Sequence, residues 1–217
     1  MGGTNMSGTG TKRKTQAERR AESRQAVLDS ACRLFGEKGY AETSLEEIAR
    51  DCGLTIRPIY HYFGNKKALF AAVNEVMDQR ILASMTAGPA FASASDAGDS
   101  GAENLASWRA FLDLCDDPGF RQIVLVDGPN ILGREGWSTS PVNMKARSML
   151  GPGGQLDSLQ QYRANMFNRV ILGAFTEAAL MIAESDDIEL ARREAERLMT
   201  KLFSGYRDFL DSEQQSN

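Results

Sequence analysis

Thr43-Ser44-Leu45-Glu46-Glu47-Ile48-Ala49-Arg50-Asp51-Cys52-Gly53-Leu54-Thr55-Ile56-Arg57-Pro58-Ile59-Tyr60-His61-Tyr62-Phe63-Gly64-Asn65-Lys66 decides the fold. Thr43 followed three residues on by Glu46 fits a capping box, in which hydroxyl and carboxylate satisfy the first backbone N–H groups of a helix. Leu45, Ile48 and Ala49 fall on the inner face of that short helix. Asp51-Cys52-Gly53-Leu54 reads as a turn, with Gly53 free to take positive φ. Thr55 is placed to cap a second short helix, and Pro58 sits in its first turn, where a missing N–H costs little. Ile59, Tyr60 and Phe63 supply the packing face of this second helix. Gly64-Asn65 ends it, and Lys66 opens another helix running to about Ser84. Two short helices about a tight glycine turn make a helix-turn-helix, whose second helix enters the major groove of DNA.

Working outward, Val27, Leu28, Ala31, Leu34 and Phe35 recur at helical spacing from Gln16 to Lys38, with Gly39 as a C-terminal stop. Residues 1–15 read as a disordered arm whose cluster Lys12-Arg13-Lys14 either stays solvated or enters an adjacent minor groove. Thr86 to Gly101 is a low-complexity Ala/Gly/Ser/Asp stretch and reads as a loop. Helical periodicity resumes through Leu105, Trp108, Phe111, Leu112 and Cys115. Phe120 to Gly133 is ambiguous: Ile123 to Val126 is β-rich, yet a lone strand pair would be isolated, which favours a buried helix interrupted at Gly128-Pro129. Met144 to Leu150 reads as a short helix. Two long helices close the chain, about Gln155 to Glu184 and Ile188 to Leu210. Their apolar faces exceed what one helical hairpin needs, which favours a helical dimer interface.

The net charge is -4, but it is unevenly spread. Residues 1–67 carry 12 Lys/Arg against 8 Asp/Glu, while the remainder is acidic. A basic head on an acidic body places an anion-binding surface at one end. Three separated cysteines without a CxxC, and the single histidine His61, give no metal site, cofactor site or catalytic base to build on. Gly151-Pro152-Gly153-Gly154 lacks the Lys-Ser/Thr of a phosphate-binding loop. No uninterrupted apolar run of about 18 residues and no apolar N-terminal stretch occurs, so neither a membrane span nor a signal peptide is expected, and the cytoplasm is the default compartment.

The stretch Gly36-Glu37-Lys38-Gly39-Tyr40, with Thr43 to Ala49, Gly53-Leu54-Thr55 and Ile59 to Leu69, resembles the DNA-binding domain of the tetracycline-repressor (TetR) family over residues 17–70. The resemblance implies an all-α protein. It would have an N-terminal three-helix helix-turn-helix domain at 16–66 and a larger helical ligand-binding and dimerisation domain at 67–217. By the same resemblance Thr43 and Ser44 touch phosphate at a helix N-terminus, and Thr55, Tyr60, Tyr62 and Lys66 occupy phosphate or groove positions. Tyr60 alternatively packs inside. Arg57 is placed to read a base edge, since a guanidinium pairs with guanine O6 and N7, while Ile56 and Pro58 suit a thymine methyl.

The family also implies a homodimer on a palindromic double-stranded DNA operator, released by a small-molecule effector and most often repressing. Ligand-binding candidates in the body are Trp108, Phe111, Leu112, Val124, Asp127, Trp137, Phe167 and Phe175, each alternatively plain core. The rival readings are a helical adaptor or an enzyme that uses the helix-turn-helix fold without DNA.

Overall fold

The computed structural model of the chain describes residues 15–85, 87, 100–138, 140–142, 144–145 and 158–211. The basic arm, most of the 86–101 stretch and the Gly-rich break at 151–154 therefore lie outside the described residues. Helix α1 runs Gln16–Glu42, and it starts where Thr15 and Glu18 satisfy one another: the Thr15 hydroxyl accepts from Glu18 N at 3.2 Å and Glu18 Oε2 accepts from Thr15 N at 2.6 Å. The stop expected at Gly39 is a kink instead. Gly39 takes φ +78°, and a further turn carries the helix to Glu42.

Helices α2 (Leu45–Asp51) and α3 (Ile56–Phe63) pack across α1, and α4 (Lys66–Met85) closes the head. Val27, Ala31, Phe35, Ile48, Ile59, Leu69 and Phe70 form its core, each almost wholly removed from water. Phe35, Tyr40 and Phe70 add an aromatic cluster with centroids 5.2–5.8 Å apart. Farther along, α4 turns Val73, Met77, Ile81 and Met85 into the core of the body. One helix thus belongs to both cores.

The body continues with α5 (Ser100–Leu114), α6 (Pro118–Arg121), a π-helical segment (Gln122–Asp127), α7 (Gly128–Ser138), α8 (Ser158–Glu184) and α9 (Ile188–Asp211). The expected interruption at Gly128-Pro129 does not occur. The chain widens into a π turn, with Gly128 N donating to Ile123 O, and passes straight into α7. A wider turn displaces the carbonyls that a proline ring would otherwise strike. The true kink lies at Gly133, φ +77°. Ile123 is helical despite its β propensity because it is buried, and Leu125, a good helix former, is buried beside it.

Ion pairs of Arg192 with Asp113 and Asp116, and of Arg109 with Glu196, join α5 and the loop after it to α9. Gln161–Glu184 is long and apolar enough to cross a membrane by length and composition. It nevertheless carries Arg163, Arg169 and Glu177, each costly at a bilayer centre.

Candidate nucleic-acid interface

The recognition unit is held rigidly from beneath. Leu45, Ile48 and Ala49 anchor α2, and its C-terminal Asp51 accepts from Ser30 Oγ at 2.6 Å and pairs with Arg33, both on α1. Those partners hold the Asp51 carboxyl below its usual range, the Ser30 hydrogen bond most and the Arg33 hydrogen bond next. Gly53, φ +69°, makes the turn, and Leu54 N donates to Ala49 O at 2.8 Å across it. Ile59, fully buried, fixes the rotation of α3 about its own axis. With Ile59 inward, Thr55, Arg57 and Tyr60 face outward.

The expected contact residues separate into two groups. Ser44, Thr55, Arg57 and Tyr60 are exposed, and Ile56, Pro58, Tyr62 and Lys66 are half-buried around them. Among the described residues Arg57 enters no hydrogen bond or ion pair. Tyr60 is 51% exposed, so it is not the packed aromatic that its place on the helical pattern allows. Thr43 departs from expectation. Its side chain is 1% exposed, and its hydroxyl donates within α1, at 2.8 Å to Gly39 O and 3.1 Å to Leu34 O.

Ser44, not Thr43, caps α2, accepting from Glu47 N at 3.1 Å. Thr-Ser followed by Glu-Glu satisfies the capping pattern in either register, and only the packing of α1 decides between them. Thr55 occupies the N-cap position of α3 without making a side-chain cap bond, which leaves its hydroxyl outside the helix's own hydrogen bonding. Lys66 Nζ lies 4.3 Å from the Tyr40 ring centroid and donates to Ala41 O at 3.3 Å, so its charge is held beside the notch formed by Ser44, Tyr60 and Asn65. Glu42 and Glu46 also line that notch.

The body holds a cleft of about 620 Å³, counted to its open mouth. Of the ligand-binding candidates Phe111, Val124 and Phe175 line it, and Asp78, Ser107, Ser140 and Thr176 supply polar atoms that sequence reasoning missed. Trp108 and Leu112 do not line it. Trp108 is core, 1% exposed, its ring tilted at 32° against Phe175 with centroids 4.5 Å apart, and Leu112 is buried against a different groove beside α9. Phe167 is half-buried against the core outside the cleft lining, and the Trp137 side chain lies outside the described residues.

Asp127 is not a cleft residue either. Its Oδ2 accepts from Tyr40 N at 2.8 Å and from Gln122 Nε2 at 3.1 Å, joining the body to the end of α1. Close by, a Cβ on Gly36 would lie 2.9 Å from Gly119 Cα, so α1 and α6 meet backbone to backbone. Burial pushes the thiols of Cys32 up to about 11 and Cys115 up to about 12, which leaves both as poor nucleophiles.

Residues 27–73 match the family model described as bacterial regulatory proteins, tetR family, and residues 102–206 match the model of the tetracyclin repressor-like C-terminal domain. The chain belongs to the TetR family of transcriptional regulators. As a TetR-family chain it is 44% identical over 69 residues to the HTH-type transcriptional regulator AcrR of Shigella flexneri, a match covering 32% of each protein. It is 38% identical over 58 residues to the HTH-type transcriptional regulator HbdR of Aromatoleum sp., covering 26% of this chain and 25% of that protein.

The chain therefore matches about a third or less of the length of these curated relatives. A solved TetR-family transcriptional regulator from Pectobacterium atrosepticum aligns over 88% of this chain and 97% of its own, at 28% identity and TM-score 0.57. A putative tetR family regulator from Shewanella sp. shares the fold at 17% identity and TM-score 0.64, over 83% of this chain and 95% of its own. The whole-length likeness lies in the fold, while the stronger sequence identity lies in short matches.

Proposed function

We propose that this chain is a ligand-responsive transcriptional repressor that binds a palindromic operator as a homodimer and leaves it when a small molecule occupies the body. The observation that carries this reading is the outer face of α3, where exposed, unpaired Arg57 and exposed Tyr60 stand on a helix locked by buried Ile59. A short rigid helix with a free guanidinium in its first turn suits base-edge readout in the major groove. Ser44, Thr55, Tyr62 and Lys66 surround it as phosphate and groove contacts, and Ile56 and Pro58 offer apolar contact to a thymine methyl.

Thr43 takes part only through its backbone, because its hydroxyl is committed to α1. The dimer is supported by apolar side chains left in water on the last two long helices: Leu159, Tyr162, Met166, Val170 and Met181 on α8, and Leu198 on α9. Such a stripe on packed helices suits a second copy of the same surface.

Coupling between the cleft and the head runs through the π-helical segment. Val124 and Leu125 line the cleft, and Asp127, at the end of that segment, holds Tyr40 N of α1. A ligand that shifts the segment tilts α1 and with it α3, so each ligand-bound protomer favours a head spacing that misses successive grooves. DNA fragments selected from a random pool by the purified protein should share a palindromic site. An adaptor or enzyme without DNA affinity would retain no fragment and would not bind heparin at low salt. Loss of heparin retention in Arg57→Ala with Lys66→Ala, the dimer surviving, separates the groove-reading surface from a general basic patch. The compartment that fits a DNA-bound regulator is the cytoplasm.

A further inference from the structure

Asp78 is a buried charge without a stated purpose. It sits on α4 with 7% of its surface exposed, and among the described residues it makes no hydrogen bond or ion pair. Its carboxylate faces the body's cleft, whose lining is otherwise dominated by Ile81, Met85, Phe111, Val124 and Phe175. Burial pushes its pKa up to about 6, and Glu75 on the same helix adds to the rise. Among the described residues no other titratable side chain, and no Lys or Arg, lines the cleft. A lone carboxylate in such a place costs the fold stability unless a cation arrives to compensate it.

Three hydroxyl side chains, Ser107, Ser140 and Thr176, also line the cleft, and two of them point the same way. Ser107 Oγ donates its proton to Met85 O at 2.9 Å, and Thr176 Oγ1 donates to Leu172 O at 3.1 Å. With their protons committed to the backbone, both hydroxyls offer a ligand only lone pairs. Asp78, Ser107 and Thr176 thus present acceptors alone, beside two aromatic rings whose faces attract positive charge. A carboxylate or phosphate ligand would meet like charge and no donor from these three.

We infer that the cleft takes an organic cation with an apolar body, with the Asp78 carboxylate as its counter-ion. The inference names the effector class of the ligand-responsive regulator proposed above, and so rests on that reading for its biological meaning. The apolar part of the ligand lies against Ile81, Met85, Val124 and Phe175, and its charged group reaches Asp78.

The test is calorimetric titration of the full-length protein with three probes of equal chain length: decyltrimethylammonium, decanol and decanoate, all kept below micelle formation. Wild type is expected to bind the cation about tenfold or more tighter than the alcohol, and decanoate weakest, as a charge-assisted contact of about 1.5–3 kcal/mol requires. Asp78→Asn should bring the cation down to the level of the alcohol while leaving alcohol binding unchanged. Asp78→Glu should keep the preference for the cation.

Equal affinity for cation and alcohol in wild type, tighter binding of decanoate, or an Asn variant that keeps full cation preference overturns the inference. Binding of the selected operator fragment is measured on the same preparations. Cation binding without operator binding would defeat the regulator reading and leave the ligand class standing. Operator binding without cation preference would do the reverse.

Discussion

Replacing Asp78 by Asn should stabilise the protein at neutral pH and do almost nothing in acid. The carboxyl titrates near 3.8 when unfolded and at about 6 when folded, so the native state holds its proton more tightly than the unfolded chain does. An acid shifted upward makes stability fall as pH rises between those two values, because the unfolded state ionises first. The rise amounts to about two pH units at about 1.4 kcal/mol each, so the ionised side chain costs about 3 kcal/mol once the pH is well above 6.

Asn keeps the shape and removes the charge. Urea unfolding of both proteins, at one fixed protomer concentration, should give the variant about 2–3 kcal/mol more stability at pH 7.5. At pH 4 the gap should shrink to about 0.5 kcal/mol. Carboxylates with lowered pKa, such as Asp51, Glu47 and Glu18, impose the opposite trend on both proteins and cancel in the difference. In a thermal scan the neutral-pH gain corresponds to roughly 6–10 °C for a chain of this size. A difference independent of pH, or a variant less stable than wild type at pH 7.5, would refute the reasoning, since either means that Asp78 has a favourable partner when ionised.

Arg57→Ala should relax discrimination at one base pair of the operator by about 1–3 kcal/mol while leaving affinity for random DNA within a few fold, measured by fluorescence anisotropy at fixed salt. Asp127→Ala should cost about 1–3 kcal/mol in urea unfolding, because the Tyr40 N–H and the Gln122 amide both lose their acceptor. The same variant should bind operator but respond more weakly to any ligand that releases wild type. Gly36→Ala should destabilise by about 1–3 kcal/mol, since its Cβ would meet Gly119 backbone rather than a movable side chain. Removing residues 1–14, if the arm touches DNA, should lower operator affinity and flatten the dependence of log K on log salt, and an unchanged slope excludes the contact.

Much of the head was legible because its signals are local. A glycine able to take positive φ at 53, a proline in the first turn of α3 and apolar residues at helical spacing each act over a few residues, and the helix-turn-helix follows from them. The outward place of Arg57 was legible too, since it lies about 200° around α3 from buried Ile59, whereas Tyr60, next to Ile59 and on the same apolar pattern, was left open between packing and exposure until the structure showed it outside. Thr43 and Ser44 were not separable, because both satisfy the capping pattern and the choice depends on the carbonyls of Leu34 and Gly39. In the body, aromatic residues at core spacing carry no mark that tells a cleft wall from packing. Phe111 and Phe175 line the cleft while Trp108, one helical turn before Phe111, fills the core behind it.

By itself the sequence determined an all-α chain with a basic helix-turn-helix head and two long closing helices, because helix periodicity and turn chemistry depend on neighbours along the chain. Tertiary structure alone decided what Asp127 and Asp78 do. Asp127 is 87 residues from the Tyr40 N–H it accepts, and Asp78 becomes a lone buried charge only once α5, α8 and the π-helical segment close around α4. Desolvation and hydrogen-bond partnership belong to groups brought together in space, and no pattern local to the sequence encodes them.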